Sequence, residues 1–349
     1  IVMIARDGVP IYSNAAGWKD IASEEPMTVD THVRIASMTK PVTAVTAMTL
    51  VEEGRLGLDD LVSDYLPEFS NLQVAEDHVA AADGSYVTRR STTPLKIRHL
   101  LMFASGIGPG MNEEAELVQY WDEKGIYRQA TGDLRARVAQ LADLPLFEEP
   151  GERWRYGFSV DVLAAVVEVV SGQKIADIMR ERVLDPLGMN DTRYAALTRD
   201  KEHLATVYSQ DEERELVAVP PQYDTDWHGG GGGLASTAAD YMRFALMLFN
   251  GGEYRGTRIL QQATVDQMTS LHVPDGVLAD TGIEGLGWGL GLAVVADEER
   301  TITPDRNGDF WWSGYYGTTF VVSPETGLVA VIYTQNEPGE FSGLPYQVY

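Results

Sequence analysis

The sequence has 349 residues, 44% apolar and 23% charged, the composition of a chain that folds into one large domain or two joined ones rather than a disordered one. Its 27 basic and 52 acidic side chains leave a net charge of −25, which repels phosphate backbones and argues against nucleic acid as a partner. There is no cysteine, which excludes thiol nucleophiles, disulfides and cysteine-ligated zinc, and no run of about 18 apolar residues offers a membrane span.

The first twenty residues alternate around Asp7-Gly8 and read as a β-hairpin, with Pro10 at an edge or strand-start position. Helical periodicity follows over about 38–53, 96–104, 134–143, 160–171, 175–184 and 237–250. Four strands are expected near the end: Trp288 to Val295, Phe310 to Ser313, Thr318 to Ser323 and Leu328 to Thr334, with Pro324-Glu325-Thr326-Gly327 turning between the last two. Isolated hairpins are marginal. The economical fold is therefore α+β, an α/β sandwich: one antiparallel sheet built from both chain ends, flanked by helices, with a large, mainly helical insertion. The corresponding division is 1–55 with 235–349 for the sheet domain and 56–234 for the helical one, with the active site in the cleft between them.

The chain opens without Met inside Ile1-Val2-Met3-Ile4, and Leu344 to Tyr349 reads as the start of a helix, so both ends look trimmed. The compartment is accordingly left open, with the cytoplasm favoured over a periplasmic or secreted location. A homo-oligomer is also left open.

Ser37-Met38-Thr39-Lys40 places a hydroxyl and an amine three residues apart, on one helix face and within reach of each other. The apolar run from Pro41 to Val51 buries that helix, and Pro41 confines Ser37 to its start, where the helix N-terminus favours an alkoxide-like nucleophile. A second Ser-x-x-Lys, Ser171-Gly172-Gln173-Lys174, falls between two helices and reads as a C-cap turn with a solvated lysine. A Ser/Lys pair needs a proton shuttle. Tyr156 is the candidate, on the loop Pro150 to Tyr156 ahead of an apolar helix that Ser159 is expected to cap.

These residues carry a resemblance that spans nearly the whole chain. Ser37-Met38-Thr39-Lys40-Pro41, Ile97-Arg98-His99-Leu100-Leu101 with Ala104-Ser105-Gly106-Ile107, Pro150 through Tyr156 with Asp161-Val162-Leu163, Asp185-Pro186-Leu187-Gly188-Met189 and Gly230 to Thr237 occur in order. Together they resemble the serine β-lactamase-related superfamily, in particular its class C-like branch and the family VIII carboxylesterases. The resemblance implies a β-lactamase/transpeptidase-like fold with Ser37, Lys40 and Tyr156 as the catalytic residues. Two features depart from the lactamases. Tyr-x-Asn is replaced by Tyr156-Gly157-Phe158, and Lys-Thr-Gly has no counterpart because no lysine follows Lys201. Trp312-Ser313-Gly314 stands in its place, similar to the Trp-Gly-Gly type of the esterases, so an apolar wall replaces the cation and hydroxyl that would hold a substrate carboxylate.

The expected site therefore adds Trp312, Ser313, Gly314, Phe158 and Tyr315 as substrate-binding residues, with the backbone N–H groups of Ser37 and Tyr315 as the oxyanion hole. The expected activity is hydrolysis of small or aryl hydrophobic esters, with no cofactor and no metal. A β-lactamase or D-alanyl peptidase, an acyltransferase or small-amide hydrolase using the same residues, and a non-catalytic binding protein are the alternatives. His228-Gly229-Gly230-Gly231 resembles a lipase oxyanion loop, but Gly157 to Asp161 fails as the required elbow. Tyr12-Ser13-Asn14 precedes the nucleophile and reads as a decoy. Asp305 to Asp309 reads as an acidic surface turn, and the six scattered histidines offer no metal spacing. At least some of Trp311, Trp312, Tyr315, Tyr316, Trp227 and Tyr223 are expected to supply pocket walls, the alternative being plain core.

Overall fold

The computed structural model describes residues 1–81, 84–110, 115–126, 132–194, 204–220, 227–273, 284–301 and 305–337. Asp7 and Gly8 both take left-handed backbone, at φ 50° and 79°, as a two-residue hairpin turn requires. They fold strand β1 (Val2–Arg6) back onto β2 (Val9–Asn14). A short strand β3 (Val33–Arg34) leads into a 3₁₀ turn at Ala36–Met38 and then helix α1 (Thr39–Glu52), which is buried from Thr39 to Leu50. Pro41 sits in the first turn of α1, where its missing N–H costs nothing.

Helices α2 (Ile97–Leu101), α3 (Leu134–Leu141), α4 (Ser159–Ser171) and α5 (Ile175–Met179) follow, then β4 (Arg193–Tyr194), β5 (Leu234–Ser236) and α6 (Ala238–Phe249). The chain ends in β6 (Leu286–Trp288), β7 (Ala293–Val295), β8 (Phe310–Gly314), β9 (Thr318–Ser323) and β10 (Leu328–Tyr333). The large sheet runs β6-β7-β8-β9-β10-β1-β2, antiparallel throughout. Both chain ends thus build one sheet, as expected for the α+β class. Helix α6 packs against β9, β10 and β1, while α1 packs against α4 and α5. The small sheet β3-β5-β4 joins the turn that carries Ser37 to the glycine-rich segment.

Several expectations are corrected. Trp288 to Val295 is not one strand but the end of β6, a turn and β7. Gly291 takes φ 86°, and Gly289 has backbone so close that a Cβ would lie 2.0 Å from the Met268 carbonyl. The helix expected over 96–104 stops at Leu101, and Phe103 is left-handed at φ 53°. The segment 175–184 is α-helical only to Met179 and continues as a π-turn over Arg180–Leu184. Ser159 is the first residue of α4 rather than its cap, and its buried hydroxyl shares a 2.7 Å hydrogen bond with Ser105 Oγ. The Asp305 to Asp309 segment is a turn exposed at Arg306 to Gly308, but its two aspartates are buried rather than on the surface, and Asp309 Oδ2 accepts the Arg306 N–H at 2.9 Å. The helix start read into 344–349 lies outside the described residues, as does Tyr223.

Candidate active site

Ser37 lies in the middle of the 3₁₀ turn that precedes α1. The turn begins with Ala36 at φ 43°, a left-handed conformation that is strained for a residue with a side chain. Such a conformation persists only if the surroundings hold it. They do so at each carbonyl around the serine. Thr318 Oγ1 donates to the Ile35 carbonyl at 3.2 Å and Tyr241 Oη to that of Met38 at 2.8 Å. Burial keeps the Tyr241 phenol protonated, its pKa raised well above the ordinary value. Gln335 fixes the preceding residue from both sides, accepting from the Arg34 N–H and donating to the Arg34 carbonyl, each at 3.0 Å.

Three polar groups converge on this turn. Ser37 Oγ lies 2.6 Å from Tyr156 Oη, and Lys40 Nζ donates to Ser37 Oγ at 2.9 Å. Lys40, only 4% exposed, also donates to the Gly231 carbonyl at 2.6 Å and stands 4.8 Å from the centroid of the Tyr156 ring. A hydroxyl held between an amine and a phenol at these distances has what nucleophilic catalysis asks for: two groups able to move its proton. The three residues predicted from sequence are therefore brought together, 119 positions apart in the case of Ser37 and Tyr156.

Tyr156 is positioned by the loop that carries it. Glu148 and Arg155 form a buried ion pair that closes this loop, and the Arg155 guanidinium stacks over the Phe147 ring at 4.3 Å. Behind the phenol, ring centroids of Phe103 and Trp312 each lie 5.8 Å away and that of Trp154 lies 6.3 Å away. Trp288 stacks on Phe103 at 4.7 Å and meets Trp312 edge-on at 4.7 Å. Gly157 is required by close approach, since a Cβ there would lie 2.4 Å from the Ile107 carbonyl and 2.7 Å from Gly108 Cα. The residue type that would carry an amide two positions after Tyr156 is instead Phe158, whose ring stacks on Trp121 at 5.7 Å.

Trp312 is 8% exposed, and its indole N–H is buried with no hydrogen-bond partner among the described residues. Gly314 ends β8 against the turn that carries Ser37. A Cβ there would fall 2.2 Å from the Ile35 carbonyl, so only glycine allows the end of β8 to come this close to that turn. Ser313 and the 38% exposed Tyr315 sit at the same end of β8. The wider aromatic grouping expected around Trp312 is only partly found. Tyr316 packs with Ala36 and Val207, and Trp227 lies under Arg137. Phe103, Trp154 and Trp288 take their places; Trp154 belongs to the quoted Pro150 to Tyr156 string, whereas Phe103 and Trp288 carry no signal for this cluster beyond being apolar.

The decoys behave as read. Tyr12 to Asn14 lies on exposed edge strand β2. Gly172 is a left-handed C-cap at φ 75°, and Lys174 pairs with Asp133 and Glu168. His99 is pushed down to about 4 by burial, with Lys96 and Arg98 adding to the effect, and its Nδ1 accepts the Lys96 N–H at the start of α2. Among the described residues no group of three His, Asp or Glu side chains is arranged to hold a metal, and no helix is long and apolar enough to cross a membrane.

The sequence profile of the beta-lactamase family, described as "Beta-lactamase", matches residues 1–347. Protein Rv1367c of Mycobacterium tuberculosis (strain ATCC 25618 / H37Rv) is 34% identical over 93% of this chain and 82% of its own length. Esterase EstB of Burkholderia gladioli is 31% identical over 98% of this chain and 87% of its own. A solved structure, EstCE1, described as a hydrolase with promiscuous acyltransferase activity, superposes with a TM-score of 0.81 at 31% identity, covering 99% of this chain and 91% of that one.

Proposed function

The chain belongs to the beta-lactamase family and has its β-lactamase/transpeptidase-like fold, and on that premise we propose that it is a serine carboxylesterase acting on small or aryl hydrophobic esters through an acyl-enzyme on Ser37. One observation carries the reading: Ser37 Oγ is hydrogen-bonded to both Lys40 Nζ and Tyr156 Oη. Similarity to Esterase EstB and EstCE1 supports the ester-hydrolase class. In this reading Lys40 and Tyr156 take the serine proton as a coupled unit. The alkoxide attacks the ester carbonyl, and the tetrahedral oxyanion is held by the backbone N–H groups of Ser37 and Tyr315. Tyr156 returns the proton to the departing alkoxide, and water then cleaves the acyl-enzyme.

Trp312, Ser313, Gly314, Phe158 and Tyr315 are proposed to shape the substrate site. The site is placed in the cleft between the sheet region, 1–55 with 235–349, and the helical region, 56–234. Trp312 stands where a lactamase would present a cation, which favours uncharged acyl groups over carboxylate-bearing ones. The test is turnover of p-nitrophenyl esters from acetate to octanoate, beside a chromogenic cephalosporin, in wild type and Ser37→Ala. Ester hydrolysis abolished in Ser37→Ala, with little cephalosporin cleavage, is the expected outcome. Rapid cephalosporin cleavage would refute the role given to Trp312, and ester turnover that survives Ser37→Ala would refute the acyl-enzyme.

A further inference from the structure

Lys40 leans on a carbonyl from a run of five consecutive glycines, Gly229 to Gly233, the backbone least able to hold its own orientation. The structure shows what restrains it. The Gly230–Gly231 peptide is gripped at both ends: Thr43 Oγ1 donates to the Gly230 carbonyl at 2.8 Å, and the Gly231 N–H donates to Asp161 Oδ1 at 3.0 Å. The neighbouring Gly229 carbonyl accepts from Tyr194 Oη at 2.6 Å. Thr43 lies one turn after Lys40 on α1, and Asp161 lies in the first turn of α4, five residues after Tyr156. The run also presses onto that turn, since a Cβ on Gly230 would sit 2.2 Å from the Val160 carbonyl and one on Gly229 2.8 Å from Asp161 Oδ1.

We propose that Asp161 is a positioning residue for Lys40: by fixing the Gly230–Gly231 peptide across α1 and α4, it aims the Gly231 carbonyl at the amine and thereby holds that amine on Ser37. Asp161 is 2% exposed and touches neither Ser37 nor the substrate in this scheme. The contact that carries its influence is made to backbone. The same α4 turn that follows the Tyr156 loop thus sets the lysine as well, which ties the two proton-moving groups to a single element.

The inference rests on the esterase reading for its kinetic test and on Lys40 itself for a second one. Asp161→Ala is expected to lower kcat on p-nitrophenyl butyrate about 10- to 100-fold with KM little changed, the cost of a small misplacement of a proton-transfer group. Asp161→Asn, which keeps an acceptor oxygen, is expected to restore most of the loss. In competitive acetylation by acetic anhydride, read by mass spectrometry against Lys174, Lys40 is expected to react severalfold faster in Asp161→Ala. If the Ala variant does not fold, the isosteric Thr43→Val releases the other end of the same peptide and is expected to act in the same direction. Wild-type kcat and unchanged Lys40 reactivity in a folded Asp161→Ala would overturn the inference. Absence of ester turnover in the wild type would instead sink the esterase reading, and the Lys40 labelling would still decide the role of Asp161.

Discussion

Replacing Tyr156 by Phe removes one oxygen and little else. The phenol ring keeps its neighbours Phe103, Trp154 and Trp312, so the expected stability cost is that of one hydrogen bond, about 1 kcal/mol. The kinetic cost is larger. The lost oxygen is the group 2.6 Å from Ser37 Oγ, and a positioned acid–base group contributes about 10²–10⁴ in rate, or roughly 3–5 kcal/mol of barrier. The deficit depends on the leaving group. p-Nitrophenolate departs without a proton, whereas an alkoxide needs one, so Tyr156→Phe is expected to lose more on an alkyl butyrate than on p-nitrophenyl butyrate. The assay is kcat/KM for both esters, by pH-stat and absorbance, together with the melting temperature. Alkyl-ester activity within about threefold of wild type at unchanged stability would refute the proton-shuttle role.

Gly314→Ala forces a methyl group to within 2.2 Å of the Ile35 carbonyl and 2.3 Å of Thr318 Oγ1, and the Ile35 backbone has little room to yield. The variant is expected to lose ester turnover by displacing β8 from the turn that carries Ser37, and near-wild-type kcat would show that this approach is not needed. Glu149 gives a pH signature. Burial alone would raise its pKa, but the hydrogen bonds from Arg89, Ser91, Thr92 and Thr93 outweigh it and hold the group at about 2 against an ordinary 4.5. A depressed carboxylate contributes stability above its unfolded pKa and loses it as pH falls through the folded one. Glu149→Gln is therefore expected to be less stable than wild type at pH 7 by about 1–2 kcal/mol after solvent screening, with the gap closing between pH 4.5 and 2. A melting-temperature difference that persists at pH 2 would contradict this.

How much of the site could be read from sequence follows from how each residue acts. Ser37 and Lys40 were legible because they meet through local helix geometry, and Tyr156 because its loop and the apolar helix after it form a recognisable string. Asp161 was quoted only as part of that string. It acts through the backbone of Gly231, 70 positions away, and a contact made by a main-chain atom leaves no residue-type signature. Phe103 and Trp288 were missed for a related reason, since apolar residues signal burial but not which cluster they join. In the fold, the sheet built from both chain ends was expected, while the run Trp288 to Val295 misled. Its β-branched and aromatic residues favour a strand, but the backbone must turn at Gly289 and Gly291, and the alternating glycines at 287, 289 and 291 were the signal overlooked. Ser159 misled as a cap because a serine before an apolar helix usually accepts a backbone N–H, whereas here Ser105 takes the hydroxyl.

The two hydrogen bonds between Gln335 and Arg34 span 301 positions, and their consequence lies in the order of folding. Closing such a loop is slow, and contacts of this range form after local helices have. On the ribosome, β1, β3 and the turn that carries Ser37 emerge well before β9, β10 and Gln335 and must wait for them. Ser37 is thus expected to be synthesised long before the contacts that make it reactive can form. A chain arrested before β10, assayed with a fluorophosphonate probe, is expected to carry the serine without its nucleophilic power, and so to be harmless to the esters around it while still being made.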